Sequence, residues 1–228
     1  MTRRLVVFAK PPLPGVAKTR LAVDLGTVPT AQVARAMLLD TIGLCERLWS
    51  APSCTDSELV LAYTDEADWF ASRLSSRWLL IQQRGDDLGQ RLENALAEMD
   101  PSQEDATAFI GMDAPHLPVA LLDGAFMQLS ASRAVLGPCD DGGYYLVGVR
   151  GLWPAGVLSK VRWSTEHALA DTREALAAAG LPCTDLAPWY DIDDLASLRR
   201  LAQQMPELPA NTLPHVRRVL SLLNLSEP

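Results

Sequence analysis

The chain has 228 residues, 48% hydrophobic and 21% charged, an ordinary globular balance with length for one large domain or two small ones. A formal net charge of −8 argues against a broad basic face for nucleic acid, while leaving room for a small anion held by local cations. No apolar run approaches the ~18 residues of a membrane span.

Without a linker, repeat or long charge run, residues 1–228 read as one domain. The basic start and short apolar run of Met1–Ala9 resemble a signal peptide only briefly. Lys10-Pro11-Pro12 stands where a small-residue cleavage site would lie. The segment therefore reads as a first strand, Arg3 to Ala9, of a cytoplasmic protein. Cys45, Cys54, Cys139 and Cys183 are far apart and form no CxxC pair, which favours reduced thiols over a zinc or redox motif. His116, His167 and His215 show no metal spacing, and His116 and His167 read as structural or exposed.

Lys10 to Arg20 is a loop with three prolines, one glycine and three cations. It reads either as a stiff surface connector or as a phosphate-binding loop at the carboxyl end of a strand. Proline stiffening lowers the entropy cost of holding Lys10, Lys18 and Arg20 around one anion. Arg20 offers two parallel donors to phosphate, and a lysine a point charge. The GxxxxGK frame of a Walker loop is missing.

Thr30 to Trp49 has helical periodicity, with Thr30 as N-cap. Ala34, Leu38, Ile42, Cys45 and Trp49 should face a sheet, with Asp40 a solvated charge. Glu58 to Thr64 reads as a second strand, Asp65 to Leu74 as a short helix and Trp78 to Gln82 as a third strand. Asp87 and Gln90 have capping-box spacing for a helix to Met99. Ala106 to Met112 is a continuous apolar run ended by Asp113 and Pro115, the pattern of a buried parallel strand. Ligands of open α/β sheets collect beyond such strand ends, which places Asp113 at the rim of a cleft.

A helix from Pro118 to about Ser130 and a strand from Arg133 to Pro138 follow. Asp141-Gly142-Gly143 then leads into a strand from Tyr144 to Val149, a hairpin signal. The same glycines also suit a floor where a bulky ligand meets the backbone. Trp163-Ser164-Thr165 precedes a helix to Ala179 with an inner stripe of Leu169, Thr172, Leu176 and Ala179, stopped by Gly180. Leu181 to Ala187 is a weak strand, and helices follow from Asp194 to Gln204 and from His215 to Leu223. Asp193 suits a site acid and a helix N-terminus equally well. Strands alternating with helices predict an α/β fold with a mostly parallel sheet, mixed by the hairpin. The absence of GxGxxG after the first strand argues against a dinucleotide dehydrogenase.

Five segments in order carry a resemblance: Phe8–Leu21, Gly85–Arg91, Gly111–Pro115, Asp140–Tyr145 and Tyr190–Asp193. Together they resemble the radical-SAM/selenodomain-associated transferase family, described as glycosyltransferase-like and similar to the nucleotide-diphospho-sugar transferase superfamily. The resemblance implies a GT-A-like three-layer α/β/α sandwich. It implies that Lys10, Lys18 and Arg20 hold nucleotide phosphates, with Gly15, Gly85 and Asp86 on the nucleotide side. Asp113 would be the catalytic acid and metal ligand, with Asp193 the second ligand to Mg²⁺ or Mn²⁺. Asp141, Gly142, Gly143, Trp163 and Ser164 would line the sugar or acceptor side. Asp194-Leu-Ala-Ser departs from the family's Thr-Pro-Glu-Asp.

A nucleotide sugar or a nucleoside triphosphate is the expected donor, with a small-molecule acceptor. The family's description favours glycosyl transfer. The short chain and its cationic loop favour nucleotidyl transfer. A non-catalytic nucleotide binder, and an unrelated phosphate-binding domain, complete the alternatives.

Overall fold

The computed structural model describes residues 1–49 and 56–225; Cys54 lies outside them. Seven strands form one sheet: β1 (Arg3–Ala9), β2 (Ser57–Tyr63), β3 (Trp78–Gln82), β4 (Ala106–Gly111), β5 (Ala134–Pro138), β6 (Tyr144–Arg150) and β7 (Cys183–Asp185), in the order β3-β2-β1-β4-β6-β5-β7. β1 sits between β2 and β4, with Val6 opposite Val60 and Phe109. β6 alone runs antiparallel, wedged between β4 and β5 by the hairpin.

The helices are α1 (Thr19–Leu25), α2 (Thr27–Trp49), α3 (Ala67–Ala71), α4 (Leu88–Glu98), α5 (Val119–Ala131), α6 (Ala168–Ala178), α7 (Leu195–Gln204) and α8 (Pro214–Leu222). Because successive strand residues point to opposite faces, β1 sends Leu5 and Val7 to one layer and Val6 to the other. The first layer packs on α2 and α5, the second on α4 and α6. This is the expected three-layer α/β/α arrangement. The predicted α2 stripe of Ala34, Leu38, Ile42, Cys45 and Trp49 lies wholly in the first core. A third cluster joins Val33 and Met37 of α2 to Leu198 and Leu201 of α7 and to Val216 and Leu220 of α8.

Three sequence expectations change. The helix expected from Thr30 starts at Thr27, and Thr30 is a buried residue inside it rather than its cap. Gly26, at φ 81°, separates it from α1, a short helix that sequence periodicity did not reveal. Asp40 is buried rather than solvated: its Oδ1 and Oδ2 accept from the backbone N–H groups of His215 and Val216, 3.2 and 2.8 Å away. It thereby satisfies two donors at the start of α8 from the middle of α2.

Asp87 caps α4 as expected, its Oδ1 accepting from Gln90 N at 2.8 Å. The returning Gln90 side chain accepts from Asp86 N instead of Asp87 N. Asp194 caps α7 with a full capping box to Ser197, so the departure from the Thr-Pro motif keeps the helix start. Cys45, Cys139 and Cys183 are unpaired thiols. Among the described residues no helix is long and apolar enough to cross a membrane.

Candidate active site

A cleft of about 850 Å³ opens along the carboxyl ends of the central strands, lined there by Ala9, Gln83 and Gly111 among others. This is the edge where an open α/β sheet gathers ligands. Asp113 stands two residues past β4, and Asp193 comes from the segment entering α7. The two meet over one nitrogen. Lys18 Nζ lies 2.6 Å from Asp113 Oδ1 and 2.7 Å from Asp193 Oδ1. The lysine side chain is 4% exposed, whereas the carboxylates are 41% and 43% exposed. The ammonium therefore lies beneath the pair, and both acids face the cleft.

Burial disfavours the Lys18 charge, but Asp113 and Asp193 outweigh it and hold the ammonium above the ordinary lysine range. The backbone places Lys18 with some strain: φ is 57°, and it forms the N-cap of α1. The two acidic segments are also tied directly, through Ile192 N donating to Asp113 O at 2.9 Å.

Lys10 and Arg20 are exposed, line the same cleft, and form no ion pair among the described residues. Asp86, Asp141, Gly143, Trp163 and Ser164 also lie on its walls. Asp141 Oδ1 accepts from Gly143 N at 2.9 Å, shaping the turn before β6. Gly89 makes room for Trp163: a Cβ there would come within 2.9 Å of the indole. Ser164 shares the left-handed backbone of Lys18, with φ 60°.

Three expected site glycines lie off the cleft wall. Gly15, at φ 80° with no neighbour near its missing Cβ, serves the loop turn. Gly85, at φ 131°, makes the turn before α4, and its carbonyl accepts from Arg91 Nε at 2.9 Å. At Gly142 a Cβ would stand 2.2 Å from Glu166 O. That glycine allows close backbone packing against the segment before α6, so the ligand-floor reading holds at most for Gly143.

Asp191 was missed by sequence reasoning. It lines the cleft beside Asp113 and Asp193, and burial, then the Asp113 carboxylate, push its pKa up to about 7 against the pull of Lys18. The signal was in the Asp191-Ile192-Asp193 alternation: Ile192 is fully buried in the third core, which turns its two neighbours the other way. Gln83 was also missed. Its Nε2 donates to Ala9 O and Ala62 O at 3.3 and 2.7 Å, fixing the amide at the cleft floor.

Among the described residues no three His, Cys, Asp or Glu side chains form a metal-holding group. The two-carboxylate pair still suits a hard cation, which often takes one or two protein carboxylates and completes its shell with phosphate oxygens and water. Asp113 Oδ2 has no hydrogen-bond partner among the described residues. A Cβ at Gly111 would crowd it at 3.3 Å, so the glycine leaves room for that oxygen.

The strand order, the single reversed strand and the acid beyond β4 define a chain with the fold of the nucleotide-diphospho-sugar transferases. A structure from Desulfovibrio desulfuricans G20, described provisionally as such a transferase, is 26% identical, with TM-score 0.82 over 100% of both chains. A cytidylyltransferase from Leptospira borgpetersenii is 13% identical, with TM-score 0.58 over 98% of this chain and 95% of its own. A CMP:2-keto-3-deoxy-manno-octonic acid synthetase complexed with CTP is 13% identical, with TM-score 0.52 over 91% and 100%. The chain belongs to the family described as "Uncharacterized protein conserved in bacteria (DUF2064)", which matches residues 48–165. No curated protein matches it.

Proposed function

We propose that this protein is a metal-dependent transferase that uses a nucleotide-activated donor in the cleft beyond β1 and β4. The observation that carries the reading is the convergence of Asp113 and Asp193, distant in sequence, within 2.7 Å of one cationic nitrogen. The structural relatives, one described provisionally as a nucleotide-diphospho-sugar transferase and two cytidine-nucleotide enzymes, support nucleotide use and the transferase class.

Asp113 and Asp193 would hold Mg²⁺ or Mn²⁺, which when bound neutralises charge on the donor phosphates. Lys10 and Arg20 line the cleft without an ion pair among the described residues and would take the remaining phosphate oxygens, Arg20 with two parallel donors. Asp141, Gly143, Trp163 and Ser164 line the same cleft and would face a sugar or small acceptor. Charge develops on the departing diphosphate in glycosyl transfer and on pyrophosphate in nucleotidyl transfer, so one set of cations serves either reaction. The glycosyl reading follows the transferase relative of highest identity given above. The nucleotidyl reading follows the cationic loop after β1.

The test is a thermal-shift and calorimetric screen of nucleoside triphosphates and nucleotide sugars, with and without Mn²⁺. Stabilisation that requires Mn²⁺ is expected. Metal-indifferent stabilisation would turn the reading to a nucleotide binder, and no stabilisation by any of them would end it. With the donor so found, Asp113→Asn should lower turnover by about 100-fold or more. Its melting temperature should stay near that of the parent; unchanged turnover would remove Asp113 from the chemistry.

A further inference from the structure

Two acids poised for a divalent cation already have a cation. We infer that the Lys18 ammonium is the resident counter-ion of the Asp113–Asp193 pair, so that a divalent metal enters only together with donor phosphates, which take the ammonium over. The inference rests on the proposed function and assigns its order of loading.

Distance is the first argument. At 2.6 and 2.7 Å, Lys18 Nζ is in full contact with one oxygen of each acid. A metal bridging those same oxygens must displace it; a metal on the outer oxygens must tolerate a positive charge a few ångströms behind them.

Burial is the second. With 4% of its side chain exposed, Lys18 is no fluctuating surface partner. Its charge acts where water screens poorly, so it opposes a second cation more strongly than an exposed lysine would.

Charge balance is the third. Taken together, Asp113, Asp193 and Lys18 leave a single net negative charge. That is a weak lure for a hydrated divalent ion that sheds water reluctantly. A phosphate chain changes the balance, because its oxygens complete the metal shell and also accept from the ammonium.

The backbone favours a side-chain swing over a loop rearrangement. Lys18 O accepts from Ala22 N at 3.0 Å, anchoring the residue to α1. The flexible stem of a lysine can re-aim its head while the backbone stays. Lys10 and Arg20 on the same cleft would meet the phosphates first.

Mn²⁺ retained by the protein in equilibrium dialysis, with the same Mn²⁺ and pyrophosphate concentrations free on both sides of the membrane, tests this directly. The parent should bind Mn²⁺ alone at least tenfold more weakly than Lys18→Met does, and at least tenfold more weakly than it binds Mn²⁺ with pyrophosphate present. Circular dichroism checks that the variant is folded; should it not fold, the pyrophosphate comparison on the parent decides alone. Equal affinity with and without pyrophosphate, or a folded Lys18→Met that binds Mn²⁺ no better, overturns the inference and leaves the nucleotide reading standing. A parent that binds no nucleotide with Mn²⁺, while Lys18→Met gains Mn²⁺ affinity, would instead sink the transferase reading alone.

Discussion

Single side chains in this protein carry opposite kinds of demand. Arg20 is exposed and forms no ion pair among the described residues, so its value lies in what it can bind. Arg20→Ala should weaken nucleotide affinity about tenfold, the loss of one charge-assisted contact, without moving the melting temperature. Calorimetry with the nucleotide found above measures it; unchanged affinity takes Arg20 out of the site. Gly142 is the reverse, valuable for what it lacks. At φ 84°, with Glu166 O 2.2 Å from a would-be Cβ, Gly142→Ala should cost about 1–3 kcal/mol in denaturant unfolding. It should also disturb the turn that carries Asp141. A variant as stable as the parent would show that the 166 segment yields easily.

Besides the apolar packing of the third cluster, helix α8 is tied to α2 by one carboxylate. The first turn of any helix leaves backbone donors unsatisfied, and here Asp40 supplies two acceptors from another element. Burial raises the pKa of Asp40, and the backbone N–H groups of Val216 and His215 oppose that shift. Asp40→Ala should therefore destabilise by about 1–2 kcal/mol, and Asp40→Asn, which keeps one acceptor, by less. Chemical denaturation of both variants checks the order. Equal losses would mean that packing, not capping, couples the helices. Helix α7 is self-sufficient by comparison, since Asp194 and Ser197 close its capping box locally.

Across the whole molecule, the acids are aligned by a joint between the end of β4 and the chain entering α7. His116 packs against Tyr190 and Trp189, with ring centroids 4.4 and 5.3 Å apart. Neither ring nitrogen has a hydrogen-bond partner among the described residues. Burial, with the Arg200 guanidinium adding to it, lowers the His116 pKa to about 3. A depressed base leaves the unfolded chain holding more protons between ~6.5 and that value, so stability falls as pH drops through this window and is complete above it. At pH 5 the loss approaches ~2 kcal/mol, from 1.5 pH units at 1.36 kcal/mol each. His116→Phe keeps the ring packing and cannot take up a proton. Its melting temperature should draw ahead of the parent's as pH is lowered from 7.5 to 5; a constant gap would refute the assignment.

Sequence by itself determined most of the elements, α1 excepted, and the layers. Period-two and period-3.6 apolar patterns are local, so β1, β3, the α2 stripe and the Asp87 cap were legible residue by residue. It also singled out Asp113, because an acid ending an apolar strand is a local signal; Asp193 stood out only through the family resemblance of Tyr190–Asp193, since an acid before a helix serves equally well as a helix-start residue. Only the tertiary structure decided that Lys18 lies between them, that Asp40 serves a distant helix, and that Gly142 faces protein instead of cleft. Each of these joins residues far apart in the chain, and a side chain's partner there is set by how the sheet and helices pack. No pattern over neighbouring residues contains that information.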